Sequence, residues 1–137
     1  MIFQDLLSAN HPNAIRIMAA KGAVTPGIDI NPMASVEHEN LIAHIPGNSP
    51  IGGEWTNRDE LMSAVRRLGE LAGGTLKIYP NVVATEGFAI NSQRIRATRN
   101  GRTLNQLLIE VWRLEDGKGV EIWDHFENLE EWDLFWQ

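Results

Sequence analysis

Residues 87–126, which read GFAINSQRIRATRNGRTLNQLLIEVWRLEDGKGVEIWDHF, contain the pattern that decides the fold. Apolar residues recur here with a period of two, which is typical of β-strands. The pairs Asn100-Gly101 and Asp116-Gly117 interrupt the pattern. Such pairs favour tight hairpin turns, because both central residues of a type I′ turn need positive φ angles. We therefore predict an antiparallel meander with strands over 87–98, 103–114 and 119–126.

The segments around this meander predict helices that pack against it. The clearest helix begins after Asn57, which can cap it, and ends at Gly73-Gly74, with its apolar residues on one stripe. Further patterns predict helices over 13–21, 33–37 and 129–136, strands over 41–45 and 75–84, and loops over 25–32 and 48–53. Helices followed by an antiparallel meander indicate an α+β fold, with the helices on one face of a curved sheet.

Length and composition favour a single domain over residues 1–137. Hydrophobic residues make up 43% of the chain and charged residues 22%, which excludes a mainly disordered protein. The absence of cysteine excludes disulfides and thiolate chemistry, and a net charge of −6 argues against binding to nucleic acid. We expect no membrane span and no secretory signal, and therefore a cytoplasmic protein.

Several short motifs, in order along residues 36–137, together resemble the SnoaL-like polyketide cyclases. They are His44–Gly47, Asn48–Gly53, Trp55–Glu60, Asn100–Leu104, Val111–Lys118, Glu121–Phe126 and Asp133–Trp136. That family shares its superfamily with nuclear transport factor 2 and ketosteroid isomerase. The resemblance implies a cystatin-like, ketosteroid isomerase-like cone, in which N-terminal helices pack on a strongly curved, mostly antiparallel sheet. Residues 1–35 depart from the family, because a loop rich in proline and glycine replaces its usual helix junction.

Asp124 is the first candidate for a catalytic residue. It stands in a strand between Trp123 and Phe126, where an ionised carboxylate is costly to bury without a partner. Burial raises the pKa of a carboxyl group and suits it to proton transfer near neutral pH. By the resemblance, Asp124 matches the acid/base aspartate of SnoaL-like cyclases and of limonene epoxide hydrolase. A solvated strand end or a cap for the tail is the structural alternative.

Glu110 is the second candidate, because it interrupts an otherwise largely apolar strand face and needs a partner. By the resemblance it stands where cyclases have a catalytic histidine. A pair of Glu110 and Asp124 could share one proton, since adjacent like charges repel. Two alternatives stay open: the cyclase reaction is absent, or Glu110 is a surface residue or pairs with Arg94 or Arg96.

Arg94 and Arg96 lie two residues apart on one strand face, together with Phe88 and Ile90. If that face lines the cone, Arg94 could stabilise charge on a substrate oxygen and Arg96 could bind the substrate. By the resemblance, Arg94 matches an arginine of the epoxide hydrolase site. Arg96 stands where that enzyme has a second aspartate, which makes epoxide opening the weaker option. The alternative places both arginines on the outer face of the sheet.

Four further residues are candidates for substrate binding. His44 ends a strand and would lie near the rim or the floor of the cavity, and Trp55 precedes the main helix at the mouth of the cavity. Trp112 shares a face with Glu110 and could stack on a flat ligand. Phe126, which follows Asp124 in the same strand, is the fourth candidate. For the tryptophans, packing in the core or at an interface is the default expectation. No spacing of histidines or carboxylates indicates a metal, and no cofactor is expected.

These residues lead to two main hypotheses. The first is a cofactor-free enzyme that transfers a proton during isomerisation, cyclisation or dehydration of an apolar, oxygenated substrate of polyketide or terpenoid kind. The second is a noncatalytic ligand-binding or dimerisation module, with epoxide hydrolysis as a weaker third option. The resemblance implies a homodimer.

Overall fold

A computed structural model describes residues 6–23 and 31–137. The helices are α1 (Pro12–Ala23), α2 (Arg58–Leu71) and α3 (Leu129–Phe135), with a short 3-10 helix over Asn31–Ser35. The strands are β1 (Glu37–Ile45), β2 (Gly53–Trp55), β3 (Lys77–Tyr79), β4 (Val82–Ala84), β5 (Phe88–Arg99), β6 (Arg102–Glu115) and β7 (Lys118–Phe126). The predicted α+β class is confirmed.

All strands join one sheet in the order β2-β1-β7-β6-β5-β3, and β4 pairs with β5 alongside β3. Neighbouring strands are antiparallel except β1 and β7, which run parallel. The long hairpins β5–β6 and β6–β7 form the predicted meander. At their turns Asn100, Gly101, Asp116 and Gly117 have φ angles of 52°, 75°, 50° and 78°, as the Asn-Gly and Asp-Gly pairs predict.

The edges of the sheet depart from the prediction. The predicted strand over 75–84 is divided into β3 and β4, because Pro80 cannot donate to the ladder. The short strand β2 was not predicted and pairs with the end of β1. The helical pattern over 33–37 corresponds to the 3-10 helix, and β1 begins earlier than predicted, at Glu37. Of the predicted loop over 25–32, residues 25–30 lie outside the described part of the chain.

Helix α2 begins as predicted, since Asn57 Oδ1 accepts a hydrogen bond from the Glu60 amide at 3.0 Å. Its apolar stripe, which includes the buried residues Leu61 and Leu68, faces the sheet side of the molecule. Among the described residues, no helix combines the length and the hydropathy that crossing a membrane requires.

Helix α3 is fixed to the sheet by its aromatic residues and by two arginines near its C-terminal end. Its aromatic residues Trp132 and Phe135 are buried, so they pack in the core. At its C-terminal end, Arg102 donates to the carbonyl of Leu134 at 2.6 Å and Arg99 donates to that of Gln137 at 2.7 Å. Arg102 therefore satisfies a carbonyl group that the last turn of the helix leaves unpaired, and Arg99 holds Gln137, which follows the helix.

Strands β5, β6 and β7 each have one buried face and one more exposed face. We call the buried face, which the helices cover, the inner face, and the opposite one the outer face. Because side chains alternate along a strand, this assignment decides which of the candidate residues can meet.

Candidate functional site

A cavity of about 90 Å³ lies between the inner face of the sheet and the helices. Its lining is mostly apolar: Met33, Ala43, Ile45, Ile51, Leu61, Met62, Val65, Leu68, Leu76, Ile78, Ile95, Leu108, Ile122 and Trp132. Five polar residues also line it: Lys21, Glu37, Gln93, Glu110 and Asp124. An apolar cavity with a few polar groups is the usual composition of a small-molecule site.

Glu110 lies in the middle of β6 and receives hydrogen bonds from three side chains. The Lys21 Nζ atom lies 3.0 Å from its Oε1 and 3.2 Å from its Oε2. The Asn91 amide donates to Oε1 at 2.8 Å, and the Trp112 indole N–H donates to the same atom at 3.3 Å. Glu110 and Lys21 therefore form a buried ion pair, and Asn91 and Trp112 supply two further hydrogen bonds to it.

Lys21 reaches the cavity from the last turn of α1, and its side chain is only 10% exposed. Its ammonium group also lies 5.5 Å from the centroid of the Trp112 ring, within the range of a cation–π contact. Burial by itself would lower the pKa of Lys21, but the charges of Glu110 and Glu37 outweigh it and raise the pKa. Lys21 is therefore positively charged.

Asp124 in β7 stands directly opposite Glu110 in the β6–β7 ladder. It is buried, and its Oδ1 atom has no hydrogen-bond partner within the described residues. Burial raises the pKa of Asp124 well above the usual range, the charge of Glu110 raises it further, and that of Lys21 opposes the shift. Asp124 can thus hold or release a proton under conditions where an exposed aspartate is ionised.

Glu37, at the start of β1, is a third buried carboxyl group on the cavity. Its Oε1 atom has no partner among the described residues. Burial raises the pKa of Glu37 to about 7, although the charges of Lys21 and Arg58 act in the opposite direction. Near neutral pH, Glu37 therefore exchanges a proton readily.

The site combines one ammonium group with three carboxyl groups. The ion pair of Lys21 and Glu110 leaves Asp124 and Glu37 as the groups that gain and lose protons. In the described part of the chain, no three His, Asp or Glu side chains are arranged to hold a metal ion. The chemistry that these residues themselves can perform is acid/base chemistry.

The structure brings Glu110 and Asp124 together on the cavity. The partner of Glu110 is Lys21, however, so the pairing of Glu110 with Arg94 or Arg96 that the sequence left open does not occur.

Arg94 and Arg96 do not reach the cavity, so their assignment to the site is wrong and the alternative that places both on the outer face is the one observed. Both lie on the outer face of β5, where Arg94 donates to Asn105 Oδ1 at 3.0 Å and Arg96 packs over the ring of Tyr79. As predicted, they lie on the same face of β5 as Phe88 and Ile90. The inner face instead carries the smaller and uncharged series Ala89, Asn91, Gln93, Ile95 and Ala97.

His44 also lies on the outer face, which corrects its expected place at the cavity rim. Its Nε2 atom lies 2.7 Å from Glu121 Oε2, its Nδ1 atom contacts Glu54, and its ring stacks on Trp123. The hydrogen bond to Glu121 raises the pKa of His44. Its neighbours Ala43 and Ile45 line the cavity in its place.

The three predicted aromatic binding residues lie behind the cavity wall. Trp112 is fully buried and donates to Glu110, so it cannot stack on a ligand. Trp55 donates to the Ile51 carbonyl at 2.9 Å. Phe126 stacks on Trp132 with ring centroids 4.4 Å apart, and Trp132 forms the wall. None of the three lines the cavity, so their assignment as ligand-binding residues is wrong. For Trp55 and Trp112, packing in the core is the default expectation, and both pack there.

Three polar residues of the cavity were not predicted, although each left a signal. Lys21 falls on the stripe of Ala14 and Ile17 in α1. Glu37 shares the strand parity of the buried residues of β1, and Gln93 that of Ile95 in β5. A polar residue at a buried position of an amphipathic element is the signal that identifies them.

No family model matches this chain, and no curated protein matches it. Solved structures do. Bal32a, from a soil-derived mobile gene cassette, is 28% identical, with 91% of this chain and 96% of that one covered and a TM-score of 0.81. A protein of unknown function with a cystatin-like fold from Xanthomonas campestris is 24% identical, with coverages of 89% and 96% and a TM-score of 0.74.

IdmH from Streptomyces antibioticus, a candidate polyketide cyclase, is 17% identical, with 90% of this chain and 99% of that one covered and a TM-score of 0.67. The cystatin-like, ketosteroid isomerase-like fold is therefore confirmed, and so is the resemblance to SnoaL-like proteins as a likeness of fold. Because one fold serves many activities, the reaction must be argued from the cavity.

Proposed function

We propose that this protein is a cofactor-free enzyme that transfers a proton on a compact, apolar carbonyl compound, with Asp124 as the acid/base. The observation that carries the proposal is the position of Asp124: a buried carboxyl group without a hydrogen-bond partner for Oδ1, on an otherwise apolar cavity. Such a carboxylate is a stronger base than an exposed one, because burial raises its pKa.

The proposed step is simple. The ionised carboxylate of Asp124 removes a proton from the carbon next to the carbonyl group, so that an O–H bond forms and a C–H bond breaks. The electron pair moves to the carbonyl oxygen and gives an enolate. Asp124 then returns the proton to another carbon conjugated with the enolate, which is isomerisation. Alternatively the enolate carbon attacks a second carbonyl group of the same molecule, which is cyclisation, and Asp124 gives its proton to the oxygen of that second carbonyl group.

Lys21 takes the role that the sequence suggested for the arginines. Its ammonium group lies on the same cavity, where a positive charge stabilises a developing negative charge more strongly than in water. Its pairing with Glu110 fixes its position before the ligand arrives.

The cavity is small, with a volume of about 90 Å³ against roughly 300–1,000 Å³ for typical ligand pockets. This volume favours the smallest polyketide and terpenoid compounds as substrates.

Deuterium exchange tests this proposal without a known substrate. Small cyclic ketones and β-keto esters are incubated with the protein in deuterium oxide, and incorporation next to the carbonyl is followed by mass spectrometry. We expect Asp124→Asn to lower the rate of exchange at least about 100-fold, the lower end of the usual acid/base contribution. The matched control is His125→Asn, because His125 is the exposed neighbour on the outer face. Equal rates for Asp124→Asn and the unchanged protein would contradict the proposal.

A noncatalytic binding protein is the second candidate, and one observation favours it. Glu110 is engaged in an ion pair with Lys21, as expected if the carboxyl groups only stabilise the fold. This candidate predicts that small apolar ligands bind in the cavity and that no ketone exchanges deuterium. The homodimer stays a prediction from the resemblance, which light scattering in solution would test.

A further inference from the structure

We propose that the side-chain amide of Gln93 binds the carbonyl oxygen of the ligand, and that Asn91 is the positioning residue that turns this amide towards the cavity. The inference deepens the proposed function, on which it rests, because it identifies the ligand as a hydrogen-bond acceptor. Gln93 is buried on the inner face of β5 and lines the cavity, and the acid/base step does not use it.

The orientation of Asn91 is determined by its neighbours. Its Oδ1 atom accepts a hydrogen bond from the backbone N–H of Asn81 at 3.0 Å, and a backbone N–H can only donate. Its amide nitrogen therefore points the other way, where it donates to the Glu110 carboxylate at 2.8 Å. A fully buried side chain held by a fixed donor and a fixed acceptor has one orientation.

The orientation of Asn91 in turn determines that of Gln93. The Asn91 amide nitrogen also lies 3.0 Å from Gln93 Oε1, so the Gln93 oxygen is the atom that faces Asn91. The Gln93 Nε2 group makes no hydrogen bond within the described residues and belongs to a side chain on the cavity. An amide in this orientation presents donors, and not an acceptor, to a ligand.

The chemistry of the ligand follows from this orientation. The Nε2 group of Gln93 would donate to a carbonyl oxygen, and it would donate more strongly to the enolate oxygen that forms when Asp124 removes a proton. A preorganised neutral donor of this kind favours carbonyl compounds over hydrocarbons of the same shape. It also makes Gln93 a specificity-determining residue of the proposed reaction.

Two ligands of nearly equal shape test the inference. Cyclopentanone is the probe, because it is a compact ketone whose carbonyl oxygen is its only polar atom. Methylenecyclopentane, in which a CH₂ group replaces the carbonyl oxygen, cannot accept a hydrogen bond and is the control ligand. Both are titrated into ¹⁵N-labelled protein, and the Gln93 side-chain resonance is assigned by its absence from Gln93→Met.

We expect cyclopentanone to bind and to move the Gln93 amide proton resonance downfield, and methylenecyclopentane to leave it nearly unchanged. Gln93→Met should weaken cyclopentanone binding about 2- to 10-fold, the value of one neutral hydrogen bond, and change methylenecyclopentane binding less than about twofold. Ser92→Ala, on the outer face of the same strand, is the matched control and should change neither affinity. If a variant does not fold, the two titrations of the unchanged protein still test whether the Gln93 amide responds to the ketone and not to the hydrocarbon.

The inference is overturned if cyclopentanone does not bind, if both ligands move the resonance equally, or if Gln93→Met keeps the preference for the ketone. These outcomes are separate from the proton-transfer test. If the unchanged protein exchanges no deuterium but Gln93 donates a hydrogen bond to cyclopentanone, only the proposed reaction is contradicted. Exchange that depends on Asp124 but not on Gln93 contradicts only the present inference.

Discussion

The Lys21 Nζ atom lies 3.0 Å from Glu110 Oε1, and this buried ion pair joins the end of α1 to the middle of β6. The two residues are 89 positions apart in sequence. The pair sets the electrostatics of the cavity, because its positive and negative members act in opposite directions on the pKa of Asp124. Without Lys21, Glu110 would be a buried charge that only neutral donors stabilise.

We expect Lys21→Met to lower the free energy of unfolding by about 3–5 kcal/mol, the usual cost of removing one partner of a buried ion pair. The double variant Lys21→Met/Glu110→Gln should recover most of this loss, since no buried charge then remains unpaired. Urea denaturation measures both values. Lys118→Met, which removes an exposed lysine, is the control and should change stability by less than about 0.5 kcal/mol. An equal loss in the single and the double variant would contradict this account of the ion pair.

Glu37 should make the stability depend on pH. Its pKa is raised from 4.5 to about 7 in the folded protein, so the folded state binds more protons than the unfolded state within that window. The free energy of unfolding therefore decreases as pH rises from about 4.5 to 7, by up to about 3 kcal/mol from this residue. Glu37→Gln should remove this part of the slope and stabilise the protein at pH 8.

Urea denaturation at a series of pH values checks the prediction for Glu37. Glu39→Gln, two residues further along β1 and exposed, is the control and should leave the slope as it is. If the slopes of Glu37→Gln and of the unchanged protein coincide, Glu37 does not hold a proton in the folded state.

The rate of deuterium exchange should increase with pH. In a plot of rate against pH, this rising limb should lie at a higher pH than the range in which an exposed aspartate ionises. Only ionised Asp124 accepts a proton, and burial together with the charge of Glu110 raises its pKa. Glu110→Gln removes the negative charge that, next to burial, raises the pKa of Asp124, so the rising limb should move to lower pH. A rising limb that does not move would show that Glu110 has no electrostatic effect on the proton acceptor.

The arginines of β5 should be dispensable for proton transfer. Arg94→Ala and Arg96→Ala should change the rate of exchange less than about twofold and the stability by less than about 1 kcal/mol, because both side chains lie on the outer face. Exchange assays and urea denaturation of the two variants provide the comparison. A tenfold slower exchange would place one of these arginines on the ligand after all.

Much of the fold follows from local signals in the sequence. The Asn100-Gly101 and Asp116-Gly117 turns, the Asn57 cap and the period-two pattern depend on interactions between residues close in sequence. Local rules could equally show that Arg94 and Arg96 share one strand face and that Gln93 lies on the other. They could not show which face the helices cover, because each face of β5 mixes apolar and polar residues: Phe88 and Ile90 share the face of the arginines, and Ile95 shares that of Gln93.

The sequence by itself determined the meander, the main helix and the place of Glu110 and Asp124 at positions that alternate with apolar neighbours. Only the tertiary structure decided that these two carboxyl groups line one cavity, and that Lys21 rather than an arginine neutralises Glu110. The physical reason is the range of the interactions. Turns and caps form within a few residues, whereas the ion pair, the orientation of Gln93 and the desolvation of Asp124 exist only once distant elements pack and exclude water.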